Sequence, residues 1–395
     1  MLQSIIVYSL LMGVMILCAV IASQKGSFYV SPNGQIRQKT FWKFEIIFPL
    51  LLFAIIFGMR YNVGVDHLSY LEGYLWREHV GKGELLFNLL SEIGWKMNLH
   101  YVIYFGIIAF IQVFFFFYAF KDERFLFPFL VFFLFTNGDW MFWMNGIRQA
   151  LAMCIWIFSI RYIEDKKFWK YLFWCIVAFL FHRSAIVLII FYPILKNGKD
   201  YFKSILLQLI LFAGAFVFRE IFSQVIMRIE AIITFYSNII GGEELYSSYD
   251  MEGLINSFRE PQGTGLAHLF QIILNVGIIL YSKKLKLFYN NKRFNIIYFF
   301  FFIGLVTLYM FPVGTISITR PFRYFYIFQT ITYAYFLFFL YKTKLKNTPH
   351  ILMYYGLIIV FLGIFYLSQI TANENNHLWY QFYFDQNIIG YPRTY

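Results

Sequence analysis

Apolar runs follow one another along the whole chain, and they decide what it can become. They fall at roughly residues 3–22, 44–59, 100–120, 125–137, 146–163, 168–181, 183–195, 204–218, 263–282, 294–311, 322–341 and 350–370. A helix of about 20 apolar residues crosses the hydrocarbon core of a bilayer, and in lipid a helix satisfies its own backbone polar groups. Twelve such runs in 395 residues, 60% of them hydrophobic and 14% charged, exceed what a water-soluble globule can bury. The expectation is an all-α polytopic membrane protein, one integral membrane domain over residues 1–395 with about 12 transmembrane helices. Residues 84–97 form a weaker, interrupted run that reads as an interfacial helix. Leu2 to Ala22 is long enough to span and lacks a basic N-terminal region, so it reads as the first transmembrane helix rather than a cleaved signal peptide.

The same composition excludes several functions. Cys18, Cys154 and Cys175 all lie inside apolar runs, so neither a disulfide nor a metal site is expected from them. Phe114 to Phe117 reads as lipid-facing filler in a chain rich in Phe, Ile, Lys and Asn. The net charge of +12 reads as cytoplasmic loop charge and not as a nucleic-acid surface. No P-loop, dinucleotide turn, zinc spacing or nucleophile elbow occurs. No cytoplasmic loop is long enough for a soluble catalytic domain. Chemistry therefore belongs on the outer face, on a substrate already activated, without a cofactor.

Lysine and arginine set the orientation. Loops 23–43, 121–124, 161–170, 196–203, 283–293 and 342–349 carry 21 of the 33 cations and are assigned to the cytoplasm. Both termini and the segments near 60–99, 138–148, 182–183, 219–262 and 312–323 then face outside. The scheme requires Trp169 to Pro193 to break at His182-Arg183 into two short helices, since one continuous helix would invert every later loop. Sorted this way, the inside holds 17 Lys and 4 Arg, and the outside 2 Lys (Lys82 and Lys96) and 10 Arg. Lysine suits a hydrated topology signal, whereas the flat fork of arginine suits a phosphate or carboxylate in a partly dry site. Charge at or inside a membrane edge is costly and marks function.

Four constellations carry these arginines. Arg60-Tyr-Asn-Val-Gly-Val-Asp66 follows the apolar run Ile46 to Met59, and Gly64 permits a tight turn across which Arg60 and Asp66 can face each other. The plainer reading is a surface salt bridge with interfacial tyrosines. In Asn145-Gly-Ile-Arg148-Gln149, Asn145 is placed to cap a helix whose free amides, with Arg148, favour an anion; a snorkelling arginine is the alternative. Gly138-Asp139-Trp140 lies just upstream. Phe181-His182-Arg183-Ser184 sets a histidine beside an arginine at the helix break, with a packing histidine as the alternative. Ser317-Ile-Thr-Arg320-Pro-Phe-Arg323-Tyr324 opens a helix, with Pro321 in its first turn and the two arginines near one face; a salt-bridged helix end is the alternative. Tyr324 and Tyr326 suit either an interfacial belt or sugar stacking, the belt being plainer. In the long extracytoplasmic loop 219–262, Arg219 to Ile240 reads as an amphipathic interfacial helix. Gly241 to Asp250, with Tyr249, has the make-up of a sugar-binding loop or of any exposed one. The extracytoplasmic tail 371–395, with Trp379, Tyr380, Asp385 and Arg393, is placed to fold back as a cover.

Together, Arg60-Tyr-Asn-Val-Gly-Val-Asp66 with Tyr70, Asn145-Gly-Ile-Arg148-Gln149 leading to Tyr162-Ile-Glu-Asp-Lys-Lys167, Phe181-His182-Arg-Ser-Ala185 and the Arg320/Arg323-Tyr helix start resemble the EpsG-like, Wzy-type polysaccharide polymerases of bacteria. Their order and spacing match over most of the chain. The resemblance implies a GT-C-like, metal-independent glycosyltransferase of the bacterial inner membrane, working on its periplasmic or outer face. It implies the joining of undecaprenyl-pyrophosphate-linked oligosaccharide repeats, the growing chain leaving its pyrophosphate carrier for the non-reducing end of a new lipid-linked repeat. A flippase and a chain-length regulator are the partners it implies, beside the bilayer itself.

Cleaving a sugar–pyrophosphate bond develops negative charge on the leaving group, which preplaced arginines can stabilise. Arg60, Arg148, Arg320 and Arg323 are assigned that role, with Arg183 in support. A base must take the proton of the acceptor hydroxyl; Asp66, Asp139 and His182 are the candidates, unranked. Tyr70, Asn145, Gln149, Tyr249 and Tyr324 are the candidate glycan contacts. A lipid-linked glycan ligase would use the same donor with a different acceptor. A flippase or transporter also fits twelve helices, but no repeat relates residues 1–195 to 196–395, as transporters often show. A membrane O-acyltransferase has His182 in its favour and the outer arginines against it.

Overall fold

The computed structural model describes residues 1–30, 36–81, 83–225, 265–311, 320–371 and 379–385. Within them the chain is helical, apart from an antiparallel ribbon of β1 (Phe28–Val30) and β2 (Ile36–Gln38), in which Tyr29 faces Arg37. The helices are α1 (Leu2–Lys25), α2 (Phe44–Gly58), α3 (His67–Leu75), α4 (Leu85–Lys96), α5 (Tyr101–Ala119), α6 (Phe127–Thr136), α7 (Asp139–Asn145), α8 (Ile147–Ser159), α9 (Arg161–Glu164) and α10 (Phe168–Phe181). Then come a 3₁₀ stretch Arg183–Ile190, α11 (Phe191–Leu195), α12 (Ile205–Val225), α13 (Leu266–Tyr289), α14 (Lys292–Met310), α15 (Arg323–Thr343) and α16 (Thr348–Val360). A π-helical stretch, Phe361–Leu367, joins α16 to α17 (Ser368–Thr371).

Each of the twelve apolar runs is helical within its described residues, and the weaker run 84–97 becomes α4. Length and composition mark fewer helices as membrane spans. Among the described residues five are long and apolar enough: α1, α5, α13, α14 and the stretch Thr348–Thr371. Arg124–Thr136 and Asp139–Asn145 add a sixth if taken together, although they bend by 65° at the break. Phe44–Gly58, Phe168–Phe181, Arg183–Leu195 and Ile205–Arg219 are apolar but shorter. In α15, five tyrosines and Gln329 offset the phenylalanines and leucines. The apolar helices fit a multi-pass membrane protein.

The chain divides into two compact units, one of Met1–Tyr162, Trp169–His182 and Tyr333–Tyr395, the other of Ile163–Phe168 and Arg183–Thr332. In the first, α2 packs on α5 through small residues. A Cβ on Gly58 would run into the Val102 carbonyl, and one on Gly106 would lie 3.3 Å from the Ala54 carbonyl. Without a hydrophobic drive between helices in lipid, such close backbone approach supplies the packing contact. Trp140 and Trp143 of α7 are fully buried. Trp140 stacks on Phe135 (5.8 Å between ring centres) and meets Tyr8 at a tilt (4.4 Å), and Trp143 meets Phe53 and Phe116 edge-on.

The ends of these helices differ in charge. At one end of the first unit Lys25 pairs with Glu45 (3.0 Å), Arg161 with Asp122 (2.9 Å), and Arg124 donates to the carbonyls of Lys39 and Thr40. At the other end lie Arg60, after α2, and Arg148, at the start of α8. Trp156 of α8 donates to the Tyr171 hydroxyl of α10 (3.1 Å), and Phe181 at the far end of α10 packs against a cluster of Tyr70, Phe105 and Ile147. α10 thus ends beside the arginines, and the chain breaks at His182 as the charge pattern requires.

The second unit repeats the division. Lys286 pairs with Asp200 (2.8 Å), Arg293 with Glu164 (2.7 Å), and Asn295 donates to the Gly198 carbonyl (3.2 Å) at one end. At the other, Phe311 stacks on Phe322 (5.0 Å) and the Ser184 and Tyr324 hydroxyls lie 3.2 Å apart. α12 runs on to Val225, so Arg219 lies within it and does not open a separate interfacial helix. The rest of the expected 219–262 loop, Tyr249 included, lies outside the described residues, as do Lys82, Ser317 and Arg393.

Candidate active site

Three segments converge at the arginine end of the first unit: the turn after α2, helix α3 and the α7–α8 junction. The turn passes through Gly64 at φ 96°, a conformation that favours glycine, beside the Asn145 side chain. Asn145 Oδ1 accepts the Asp66 backbone N–H at 2.7 Å. Arg60 donates from Nη1 to the Phe57 carbonyl (2.5 Å) and from Nη2 to the Met144 carbonyl (3.1 Å). Its guanidinium faces the rings of Phe57 and Phe105 at 5.9 and 5.6 Å, and the residue is 2% exposed. A strap from the tail crosses behind it. Tyr61 N–H donates to the Gln381 carbonyl and Tyr383 N–H to the Met59 carbonyl, both at 2.9 Å, which pairs Arg60 with Phe382. Tyr380 adds a hydroxyl bond to the Ile56 carbonyl (2.7 Å). The described part of the tail therefore does fold back, onto the segment that carries Arg60.

Arg148 stands one residue into α8. Its Nε donates to the Tyr70 hydroxyl (3.1 Å) and its Nη1 to Glu84 Oε2 (2.5 Å), while the guanidinium lies 5.7 Å from the Tyr70 ring and 5.9 Å from that of Phe87. The Arg148 side chain is 19% exposed and that of Glu84 7%. A charge pair this dry is held because each partner needs the other. Among the described residues no partner takes the Nη2 edge. Tyr70 accepts from Arg148 and keeps its own hydrogen to donate. Burial pushes its phenol pKa up, against the lowering charge of Arg148, so it stays a neutral donor. The result is an oriented cation with one edge left for a phosphate or carboxylate oxygen.

His67 opens α3 and is fully buried. Its Nδ1 accepts the Asn62 N–H at 3.2 Å, and its ring lies 5.3 Å from Phe105. That bond places the imidazole hydrogen on Nε2, which is buried without a partner, as is Nε of Arg60. Burial first, then the Arg60 charge, holds the His67 pKa well below its usual value.

The remaining candidates fall as follows. Asp66 is exposed, and Arg60 turns away from it to backbone carbonyls, so the pair expected across the Gly64 turn does not form. Asn145 ends α7, Gly146 takes the cap position of α8, and the Asn145 oxygen serves Asp66 instead of a helix cap. Gln149 is buried beside Arg148 in sequence, Asp139 opens α7 half-buried, and His182 is 9% exposed. Arg183, Arg320, Arg323 and Tyr324 belong to the second unit. There the Ser184–Tyr324 bond sets the start of the 3₁₀ stretch beside the start of α15. α15 begins at Arg323, so Arg320 and Pro321 lie in the turn before it and not in its first turn. Among the described residues no group of three His, Cys, Asp or Glu side chains is placed to hold a metal ion.

Two residues of this site escaped the sequence reading. Glu84 pairs with an arginine 64 positions away, which no local pattern announces. His67 was legible: with Tyr70, Leu71 and Tyr74 it follows the i, i+3, i+4, i+7 spacing of a buried helix face, and all four are buried.

No curated protein and no solved structure matches the chain. The model of the EpsG family matches residues 43–384, from the foot of α2 to the tail strap, and the chain belongs to that family.

Proposed function

We propose that the protein is a polysaccharide polymerase that joins undecaprenyl-pyrophosphate-linked oligosaccharide repeats on the outer face of the bacterial inner membrane. The family match supports the polymerase role. The observation that carries the reading is Arg148, held by Tyr70 and Glu84 with no partner on its Nη2 edge among the described residues. The acceptor hydroxyl oxygen attacks the anomeric carbon of the growing chain. The bond from that carbon to the carrier pyrophosphate breaks, its electron pair stays on the pyrophosphate, and the hydroxyl proton passes to a base. Asp66 is the base we favour over Asp139 and His182, because it is exposed and tied through its N–H to Asn145. Arg148 steadies the leaving charge, as a preplaced donor does best. Arg60 acts from behind by fixing the Met144 carbonyl just ahead of Asn145. Arg183, Arg320 and Arg323 serve as further phosphate contacts. Tyr70, Asn145, Gln149, Tyr249 and Tyr324 serve as glycan contacts.

In this reading the twelve helical runs all cross the membrane in a GT-C-like arrangement. The arginine ends face outward and the lysine ends inward. The enzyme needs no metal, and it works with a flippase and a chain-length regulator. The test is a size-resolved surface glycan from a deletion strain complemented with wild type or with Arg148→Ala. Single repeats without a ladder in both the deletion and the variant, with the variant present at normal level, is the expected result. No surface glycan at all would point to export or ligation, and a normal ladder would overturn the reading.

A further inference from the structure

We propose that the first unit carries, at its lysine end and away from the arginine cluster, a groove for one anionic phospholipid. Helices α1, α6 and α16 and the second half of α15 line an open groove of about 790 Å³, within the size range of ligand pockets. Its walls are apolar, with Ile16, Val20, Phe129, Phe132, Ile358 and Leu362 among them. Leu362 sits on the π-helical stretch, a distortion often found where a helix is shaped around a site. Along α1 the lining runs from Met12 to Gln24, about 18 Å of helix. One leaflet of a ~30 Å hydrocarbon core has about that depth.

Polarity enters at one end only. Ser23, Gln24, Tyr341, Lys342 and Tyr354 close that end, and the lining contains no acidic residue. Lys344 lies at the same mouth, 4.5, 4.7 and 5.5 Å from the ring centres of Tyr341, Tyr354 and Tyr355. Lys342 lies 5.6 Å from Phe338 and 5.9 Å from Tyr341. Ring faces hold an ammonium group in place without accepting all three of its hydrogens. The mouth therefore carries two cations, drawn toward its rings, above a leaflet-deep apolar slot. A diacyl lipid with a phosphate head and no compensating positive charge matches both parts. A zwitterionic lipid would bring its own cation against the two lysines.

The test uses the full chain purified in mild detergent and incubated with palmitoyl-oleoyl phosphatidylglycerol, its phosphatidylcholine counterpart or undecaprenyl phosphate, with retained lipid read by native mass spectrometry. Phosphatidylglycerol should be retained in preference to phosphatidylcholine. Removing the lysines in Lys342→Ala and Lys344→Ala should lower its retention roughly fivefold each. Leu362→Trp, which fills the slot and leaves both lysines, should also displace it. Equal retention of the two phospholipids, or retention unchanged in the lysine variants, would overturn the proposal. So would preference for undecaprenyl phosphate, which would make the groove a carrier site. Should the lysine variants fail to fold, the head-group preference of the wild type and the Leu362→Trp result decide the matter.

Discussion

Arg124 and Arg148 are both drawn largely out of water, at opposite ends of the same helices, and they are held in different ways. Arg124 is 1% exposed, and its guanidinium donates to the carbonyls of Lys121, Lys39 and Thr40 at 3.3, 2.9 and 2.8 Å. Those acceptors belong to the backbone of two linkers, so they cannot be given up without loosening the fold. Arg148 is held by side chains, a tyrosine hydroxyl and a carboxylate brought by α3 and by the flank of α4, and one edge has no partner among the described residues. Burial of an arginine therefore says little by itself. The chemistry of its partners separates a latch from a group able to take a ligand. Arg60 lies between the two: it has carbonyl partners like Arg124, but it belongs to the same end of the unit as Arg148 and has a buried Nε without an acceptor.

The sharpest way to break this contrast is to remove each arginine in turn. Arg148→Ala should lower polymer formation per molecule by roughly 10²–10³-fold, the usual cost of deleting one donor to a developing anion. Glu84 loses this partner, so the melting temperature in detergent should fall as well, but polymer formed per folded molecule should fall far more than the folded fraction does. Arg124→Ala should cost stability and not activity. Three part-buried carbonyls lose a charged donor that water replaces only in part, at about 1 kcal/mol each, so a stability loss of about 2–4 kcal/mol is expected once the lost packing of the side chain is added. Activity per folded molecule should stay within a few-fold of wild type. A normal melting temperature for Arg124→Ala, or an activity loss in Arg148→Ala that only tracks unfolding, would erase the distinction.

Much of this contrast was visible in the chain before any fold. The lysine-to-arginine sorting separated the two ends, and each apolar run became a helix. The break at His182-Arg183 followed from charge alone, because an uninterrupted helix would have placed lysines on the wrong side. What stayed hidden depends on contacts remote in sequence. Arg124 reads as a topology signal, since nothing local shows that two of its three carbonyl partners lie some 85 positions upstream. Asn145 was read as a helix cap because its neighbours fit one, yet a backbone N–H from the Gly64 turn reaches its oxygen first. The short ribbon 28–30 with 36–38 carries no alternating pattern long enough to announce strands. Helix ends were harder than helices: α15 starts at Arg323, two residues after the proline expected in its first turn.

A finer cut through the arginine end comes from Glu84. Glu84→Gln keeps the shape and a hydrogen-bond acceptor but removes the charge that orients Arg148. The guanidinium should then sample other partners, and polymer formation should fall by about tenfold, some 1.4 kcal/mol. In an Arg148→Ala background the same change should cost almost nothing, since coupled residues are not additive. Full additivity in that double-mutant cycle would mean that Glu84 acts on something other than Arg148.

The smallest effect, and the one that tests the neutral histidine beside Arg60, is a dependence on pH. Burial and the Arg60 charge hold the His67 pKa below its usual value in the folded protein. In the unfolded chain it returns to about 6.5. As pH falls below that value the unfolded chain takes up a proton that the folded one refuses, so stability declines, by up to about 1.4 kcal/mol per pH unit, until the folded pKa is reached. Above pH 7 the histidine contributes no slope. His67→Phe keeps a ring against Phe105 and removes both the titration and the buried Nε2 hydrogen without an acceptor. The Asn62 N–H loses its acceptor in this variant, which offsets the relief of the buried Nε2 hydrogen, so its melting temperature should stay near wild type at pH 7.5 and should fall less between pH 6.5 and pH 5, giving curves that diverge on the acid side. Curves that stay parallel would place the acid-sensitive group elsewhere. They would also mean that the imidazole finds a partner for its proton in solution, which would make the pocket between Arg60 and Phe105 wetter than its packing implies.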